Sequence, residues 1–300
     1  MKLTISAIDS LSPGLKRFTL SGSNLPWAGA GAHLILEIPD GERVRKNAYS
    51  LIGAPVGAYQ IIVRRVEHSR GGSRWLHDHA RPGDELVGYP PQNFFSPPRS
   101  AKRHLLLSAG IGITPFLAYL QIPGLDYELH HCCKSDEADA FRALLPPGAN
   151  ATLHTSRAAL NLHALLAKQK LDTHLSICGP ESFMGIAASA AKSQGWPATK
   201  VHLESFGAAT GGKPFTVRLK RSGITLNVGT DDTLLDTLEA AGLNPPCLCR
   251  GGACGECRMA VLDGTPEHHD HYLSDADKAS GKSIMVCVSR AITPELILDF

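Results

Sequence analysis

The sequence predicts a multidomain chain built of an antiparallel β module, a doubly wound α/β module and a small α+β module, in that order. Three observations carry this reading. At 300 residues the chain exceeds what one hydrophobic core usually serves. Its hydrophobic pattern changes twice, from short punctuated strands to alternating strands and helices, and then to a mixed set. Finally, four cysteines crowd into CLCRGGACGEC (247–257) in a chain that has only eight.

Composition narrows the classes of function. A content of 43% hydrophobic and 19% charged residues suits a globular protein, and 30 basic against 28 acidic side chains leave no broad basic surface for nucleic acid. The start, MKLTISAIDSLSPG, lacks a basic segment followed by an apolar one. No secretory signal is read there, and a reduced, cytoplasmic setting is expected in which cysteines are ligands or free thiols. Residues 105–125, LLLSAGIGITPFLAYLQIPGL, run 21 positions without a charge, long enough to cross a bilayer. Their interior is turn chemistry with a proline, so a buried strand, a loop and a helix are the better reading, and no membrane partner is expected.

The first module is placed at 1–98. HLILEIP (33–39), AYSLIG (48–53), AYQIIVRRV (58–66) and DELVGY (84–89) are separated by Gly, Pro and Asp turns, which suggests an antiparallel barrel or sandwich. The second is placed at 99–207, after the connector PPRSAKR (97–103). Strand-length runs at 104–109, 126–133, 151–156, 174–180 and 201–206 alternate with helical stretches at 114–120, 137–145, 162–169 and 180–194, the pattern of a parallel sheet. The third is placed at 208–300, with GAATGGKP (207–214) as linker. It offers two strands in FTVRLKRSGITLNVG, a helix in TLLDTLEAAG (233–242), and further strands in CRMAVLDG, IMVCVSRA and LILDF.

Within that module Cys249, Cys254 and Cys257 are spaced C-x4-C-x2-C, and Cys287 follows after 29 residues, in the predicted strand IMVCVSRA. This is plant-type [2Fe–2S] spacing, in which four thiolates hold two irons. Gly251, Gly252, Ala253 and Gly255 are small enough for the main chain to wrap tightly around bridging sulfides and offer them N–H donors. Structural zinc is the rival, but it usually takes two short C-x2-4-C knuckles, and only one is present. Cys247 is left over and reads as a spare small hydrophobe; Cys132 and Cys133 read as packing.

AGIGITP follows a predicted buried strand and opens a predicted helix. Gly110 and Gly112 would let backbone approach a pyrophosphate, with Thr114 capping the helix and Pro115 in its first turn, although the full G-x-G-x-x-G fingerprint is absent. Cys178, Gly179 and Pro180 end a later strand, where open α/β sheets bind ligands. The bland alternatives are an ordinary strand-to-helix turn and a buried structural cysteine. His268, His269 and His271 alternate with acids in a predicted loop and read as a solvated turn rather than a second metal site. No Gly-x-Ser-x-Gly elbow supports hydrolysis.

CRGGACGEC, VLDG followed by TPEHHDHYLSD, and IMVCVSRA resemble the C-terminal ferredoxin domain of the phthalate dioxygenase reductase family, and most of all its vanillate demethylase oxidoreductase branch. The resemblance runs the length of the chain in order, through AYSL, GGS, AGIGITP, CGPESFM, ESFGA and the cysteine motif. It implies a flavin-binding barrel, an NAD-binding α/β domain and a β-grasp ferredoxin, with FMN, NADH and a [2Fe–2S] cluster as cofactors. It further implies a monomer that serves a Rieske-type oxygenase. The family's Arg-x-Tyr-Ser appears as Asn47-Ala48-Tyr49-Ser50, so one charged contact to the flavin is missing. By resemblance Tyr49 packs on the isoalloxazine, Ser50 bonds near its reactive N5, and Cys178 lies beside the nicotinamide; Ser50 and Cys178 are the catalytic candidates. Arg64, Arg65, Gly71, Gly72 and Ser73 are candidates to hold the flavin phosphate, although each arginine alone reads as a solvated strand residue and Ser73 as a helix cap. Phe206 matches the family's aromatic near the flavin. Gln92 stands where relatives often carry arginine, and Lys134 is a candidate partner for a 2′-phosphate should NADPH be used.

These parts explain one another. A nicotinamide gives up two electrons as hydride, a [2Fe–2S] cluster accepts one, and a flavin can do both, so the three modules make a two-to-one electron converter. Two other readings remain: a reductase serving a cytochrome P450, and a non-enzymatic redox sensor or carrier.

Overall fold

The computed structural model describes residues 1–41, 43–53, 55, 57–67, 71–206 and 212–300. The first module is a closed six-stranded barrel of β1 (Lys2–Ser12), β2 (Leu15–Ser21), β3 (His33–Asp40), β4 (Arg43–Gly53), β5 (Ala58–Arg64) and β6 (Glu85–Gly88), in the order β1-β2-β5-β4-β3-β6. Every pairing is antiparallel. Alternation directs Leu3, Ile5, Leu34, Leu36, Ile61 and Val63 inward, and α1 (Gly72–Asp78) adds Leu76 to the same core. Closure settles the choice between barrel and sandwich. Strands β1 and β2 lie outside the predicted runs because their apolar residues alternate with Ser, Thr, Lys and Arg, which leaves no continuous apolar signal.

The second module is a parallel sheet of β7 (Arg103–Ala109), β8 (Tyr127–Cys132), β9 (Ala151–His154), β10 (Thr173–Cys178) and β11 (Val201–Glu204), in the order β11-β10-β7-β8-β9. Helices α2 (Thr114–Tyr119), α3 (Ala138–Leu144), α4 (Leu162–Ala167) and α5 (Glu181–Ser193) make the crossovers. The chain winds outward from β7 through β8 and β9, then restarts on the other side at β10. The carboxyl ends of β7 and β10 therefore flank the topological switch point, where open α/β sheets hold ligands. The uncharged stretch 105–125 resolves into most of β7, a 3-10 turn at Gly110–Ile113 and the six-residue α2. Among the described residues no helix is long and apolar enough to cross a membrane.

The third module is a mixed sheet in the order β13-β12-β18-β14-β16 with a two-stranded β15-β17 ribbon. Its elements are β12 (Phe215–Leu219), β13 (Thr225–Val228), α6 (Leu234–Ala240), β14 (Arg258–Asp263), β15 (Pro266–Glu267), α7 (Asp275–Ser280), β16 (Ser283–Met285), β17 (Arg290–Ala291) and β18 (Glu295–Leu298). Helix α6 starts at a Thr233–Asp236 capping box and buries Leu234, Leu235 and Leu238 against the sheet. The predicted strand IMVCVSRA is interrupted. Its ends form β16 and β17, and Cys287 sits in the turn between them, which swings its thiol toward the cysteine loop. The 207/208 boundary and residues 207–211 of the predicted 207–214 linker lie outside the described residues.

The modules meet in two physically different ways. Leu15, Ile52, Ile62 and Phe95 from the barrel side pack with Leu106, Phe116 and Tyr119 of the nucleotide sheet in one apolar cluster. The third module meets the barrel through charge: Arg45 with Asp232 at 3.1 Å and Lys46 with Glu239 at 3.2 Å.

Candidate functional site

At the switch point lies a cavity of about 770 Å³, walled by Gly110 and Ile111 after β7, Gly179 and Pro180 after β10, Arg64 from β5, and Phe206. Gly110 holds φ 56, a left-handed conformation, and opens the 3-10 turn beneath the cavity. Gly112 is small for another reason. A Cβ there would stand 2.4 Å from the Cys178 carbonyl oxygen, so its bareness lets the turn pack on the end of β10 rather than admit a ligand. Thr114 does not cap: Ile113 is the N-cap of α2, and the Thr114 hydroxyl donates to the Ile111 carbonyl at 2.9 Å. Thr114 and Pro115 are both buried behind that turn. Cys178 is wholly buried among apolar side chains, and burial holds its thiol well above its ordinary pKa, with the Glu204 charge adding to the effect. Its neighbours Gly179 and Pro180, not its sulfur, reach the cavity wall.

Across this cavity Arg64 makes a bidentate pair with Glu137 at 2.6 and 2.8 Å, tying the barrel to the segment before α3. Arg65 points elsewhere, to Asp78 at 3.0 Å and to Glu67. Lys134 also lines the cavity. So do His269 and His271, which arrive from the third module. The His269 side chain is only 19% exposed, its Nδ1 is buried without a hydrogen-bond partner, and Glu181 lies 3.8 Å away. The solvated-turn reading fails for His268 and His269, whose side chains are largely covered, His269 by a contact with Glu181 that has no local sequence signal, while His271 is exposed as expected.

A second, smaller cleft of about 70 Å³ lies where the barrel, the exit of β11 and the cysteine loop converge. Asn47, Ala48 and Ser50 of β4 face Glu204, Phe206 and Gly251 there. Its polar atoms are unusually short of partners: Asn47 Oδ1, Ser50 Oγ, His33 Nε2 and Glu204 Oε2 are all buried without a hydrogen bond. Buried polar groups are normally paired, so this set fits a heteroaromatic ring bearing its own donors and acceptors, as an isoalloxazine does. Burial lowers the pKa of His33, which favours the neutral ring; burial, and then the Cys249 sulfur, pushes Glu204 up to about 8. Sequence reasoning offers no signal for His33, and Glu204 enters only as the first residue of ESFGA. Tyr49 packs against the barrel core, on the β4 face shared with Asn47. The Asn47 amide stands 3.0–3.2 Å from where a Cβ on Gly72 would be, so β4 and the start of α1 meet at this residue. Gly71 is the N-cap of α1 with φ 108, and the Ser73 hydroxyl accepts from the Val66 N–H at 3.3 Å instead of capping the helix.

The cysteine loop closes the other side of the cleft, with Cys249, Arg250 and Gly251 in its wall. Cys249, Cys257 and Cys287 are buried and Cys254 is partly buried, all four as free thiols. Cys249 Sγ accepts N–H bonds from Gly251 and Ala253, both at 3.4 Å. Four free thiols at this spacing, with backbone N–H groups turned to sulfur, suit a two-iron centre held by four thiolates. Gly255, at φ 86, is pressed by the Tyr272 ring, 2.4 Å from where a Cβ would stand. The loop's smallness there serves protein packing as well as the cluster. Arg250 adopts φ 52 and directs its guanidinium to Asp236 and Glu239 of α6. Ser205 and Phe206 border both cavities, so the larger cavity, the cleft and the cysteine loop are contiguous.

The comparisons agree with this layout. The 2Fe-2S iron-sulfur cluster binding domain model matches residues 217–291. The chain is 42% identical, over 100% of its length and 98% of the relative, to the heme-dependent oxidative N-demethylase beta subunit of Ectopseudomonas mendocina (strain ymp). It is 38% identical, over 93% of itself and 92% of the relative, to the vanillate O-demethylase oxidoreductase of Pseudomonas sp. (strain HR199 / DSM 7063). Among solved structures it is similar to phthalate dioxygenase reductase, described as a modular structure for electron transfer from pyridine nucleotides to [2Fe-2S], with a TM-score of 0.82, 32% identity and coverage of 100% and 98%. With its barrel, doubly wound sheet and ferredoxin module in the same order, the chain belongs to the phthalate dioxygenase reductase family of flavin- and [2Fe–2S]-dependent oxidoreductases.

Proposed function

We propose that this chain is the NADH-oxidising reductase component of a terminal oxygenase system, and that it passes electrons through FMN and a [2Fe–2S] cluster to its partner one at a time. The observation that carries the reading is the contiguity of the three sites through Ser205, Phe206 and Gly251. Bound in the cleft, the flavin supplies the step between hydride and single electrons. The chain's own residues do the rest. Gly110, Gly179 and Pro180 receive the dinucleotide at the switch point, and Phe206 screens the opening between cavity and cleft. Ser50 and Asn47 hold the ring's polar edge, Gly71, Gly72 and Ser73 receive the phosphate, and Glu204 and His33 meet the remaining heteroatoms. Cys249, Cys254, Cys257 and Cys287 hold the cluster, and the Gly251 and Ala253 N–H groups stabilise the charge on sulfur.

The relatives support two readings of the partner. An O-demethylase or ring-hydroxylating oxygenase of the Rieske type is the first reading, supported by likeness to a vanillate O-demethylase oxidoreductase and a phthalate dioxygenase reductase. A haem-containing acceptor is the second, favoured by the 42% identical beta subunit of a heme-dependent oxidative N-demethylase. The test starts with the purified chain: one FMN, two irons and two acid-labile sulfides per chain, and NADH-driven reduction of ferricyanide and cytochrome c. Extraction of FAD, or no reduction with NADH, overturns the corresponding part. Mixing the NADH-reduced chain anaerobically with a Rieske oxygenase and with a haem N-demethylase, and following the visible and Soret bands, separates the two partners.

A further inference from the structure

The larger cavity is not walled by the barrel and the nucleotide sheet alone, because His269 of the third module lines it too. Its ring stands between carboxylates of two modules. Nδ1 lies 3.8 Å from Glu181 at the start of α5, and Nε2 lies 3.5 Å from Glu267 of β15. At 3.8 Å the Glu181 contact is no hydrogen bond, and Nδ1 is buried with no partner. A ring nitrogen left open on a cavity wall is a group that a bound molecule can satisfy. The turn that carries it is firmly built. The His269 N–H donates to Ser289 Oγ at 3.2 Å, and the buried Asp270 carboxylate accepts from the Tyr272 and Leu273 N–H groups at 3.2 and 2.8 Å. The same turn grips the cysteine loop. The His271 N–H donates to the Gly252 carbonyl at 3.1 Å, Asp270 packs on Gly252, and the Tyr272 ring presses on Gly255. Cavity wall and cysteine loop are therefore joined through residues 269–272.

We propose that the third module completes the nucleotide site: His269 donates a hydrogen bond to the ribose–phosphate oxygens of the dinucleotide, and occupancy of the cavity draws this module and its cysteine loop onto the rest of the chain. The proposal rests on the reading of the larger cavity as the NADH site. Its energetics follow from how the module is otherwise held. The ties to the barrel are two partly exposed ion pairs, Arg45 with Asp232 and Lys46 with Glu239, which water and salt weaken. A ligand that touches both sides of such a joint binds the docked arrangement better than the undocked one. The coupling is reciprocal: whatever factor docking adds to nucleotide affinity, saturating nucleotide adds to the ratio of docked to undocked module. Nucleotide binding thus aligns the cysteine loop while electrons enter, and nucleotide release loosens it for the exchange with a partner protein.

The test uses the oxidised chain as purified, NAD+ as a nucleotide that cannot react with it, and a zero-length carbodiimide that joins Lys46 to Glu239 only when the module is docked. The Lys2–Glu85 crosslink inside the barrel is the internal reference, and both are counted by peptide mass. Salt is first raised until Lys46–Glu239 crosslinking falls to half or less of its low-salt rate. Saturating NAD+ is then expected to raise the docked-to-undocked ratio about three- to tenfold, the factor that one hydrogen bond supplies. His269→Ala is expected to bind NAD+ about three- to tenfold more weakly by titration calorimetry and, once saturated, to show no rise in crosslinking, with flavin and iron content unchanged. Wild-type crosslinking indifferent to saturating NAD+, or a rise in His269→Ala equal to that of the wild type, overturns the proposal. Should the variant not fold, the wild type with and without NAD+ decides alone. A wild type that binds no NAD+ in the calorimeter sinks the reading of the cavity and the proposal with it, whereas binding without the rise in crosslinking sinks the proposal only.

Discussion

Glu239 makes one contact across the ionic joint and one inside the third module. Its carboxylate pairs with Lys46 of β4 at 3.2 Å and with Arg250 of the cysteine loop. The side chains of Lys46, Glu239 and Arg250 are 29%, 23% and 10% exposed, so neither contact is a free surface bridge. Replacing Glu239 by Gln keeps the shape and removes the charge, and leaves Arg250 with Asp236 at 3.4 Å as its carboxylate partner. A hydrogen bond to a charged group of this burial contributes about 1.5–3 kcal/mol, and the more exposed Lys46 pair about 0.2–1 kcal/mol. Only the Lys46 pair crosses to the barrel, so its loss lowers the ratio of docked to undocked third module by up to about fivefold, while the loss at Arg250 loosens the cysteine loop from α6 within the third module.

Stopped-flow mixing with NADH reads this directly, because flavin and cluster bleach at different wavelengths. In Glu239→Gln the flavin phase is expected to match wild type and the cluster phase to slow, more so as salt rises and screens the remaining Arg45–Asp232 pair. Wild type at high salt is expected to move the same way by less. A cluster phase in the variant equal to wild type at both low and high salt refutes the reasoning, and equal slowing of both phases points to general damage instead.

Three further outcomes are expected. Ser50→Ala, which removes a buried hydroxyl from the flavin cleft, is expected to slow flavin reduction about five- to tenfold at saturating NADH while iron content is unchanged; an unaltered rate refutes a role at the ring. His269→Ala is expected to raise KM for NADH about three- to tenfold in the ferricyanide assay with flavin and iron retained, and an unchanged KM removes this residue from the nucleotide site. Burial lowers the pKa of His77, His104, His131, His154, His174 and His202, with His131 taken to about 3, so the folded chain keeps them neutral while the unfolded chain protonates them below about pH 6.5. Their contribution is therefore fully present above that pH and is lost as pH falls, by up to about 1.4 kcal/mol per unit for each. Urea midpoints are expected to drop from pH 7.5 to pH 5.5, and a flat or rising profile contradicts the assignment.

What sequence reasoning reached was local. The C-x4-C-x2-C run is legible because the spacing between ligands along one loop fixes which thiols can converge. The parallel sheet is legible because β7, β8 and β10 are apolar enough to stand out. What it missed came from distance: Arg64 and Glu137 are 73 residues apart, and Arg45 and Asp232 are 187 apart, with no periodicity to connect them. Gly112 shows a different limit. Its letter fits a phosphate turn and a tight strand-end contact equally well, and only the Cys178 carbonyl tells them apart. Cys287 reads as strand because the run IMVCV around it is apolar, yet that apolarity reports burial under the loop rather than an extended backbone.

The two joints differ for a reason the chemistry supplies. Hydride transfer requires reacting atoms within about 3–3.5 Å, so the nucleotide sheet must be fixed on the barrel with little play. Apolar packing does this: Leu15, Ile52, Ile62 and Phe95 are each almost fully buried, and each such side chain contributes about 1.5–3 kcal/mol to a joint with no alternative geometry. An electron leaving the cluster must instead reach another protein, and the face that meets the flavin belongs to a loop whose Leu248 remains 38% exposed. A joint made of Arg45 against Asp232 and Lys46 against Glu239 aligns the module by charge yet costs little to loosen, since water and salt replace what separation removes. Apolar contact holds the step that tolerates no error, and ionic contact holds the step that must be shared with a partner.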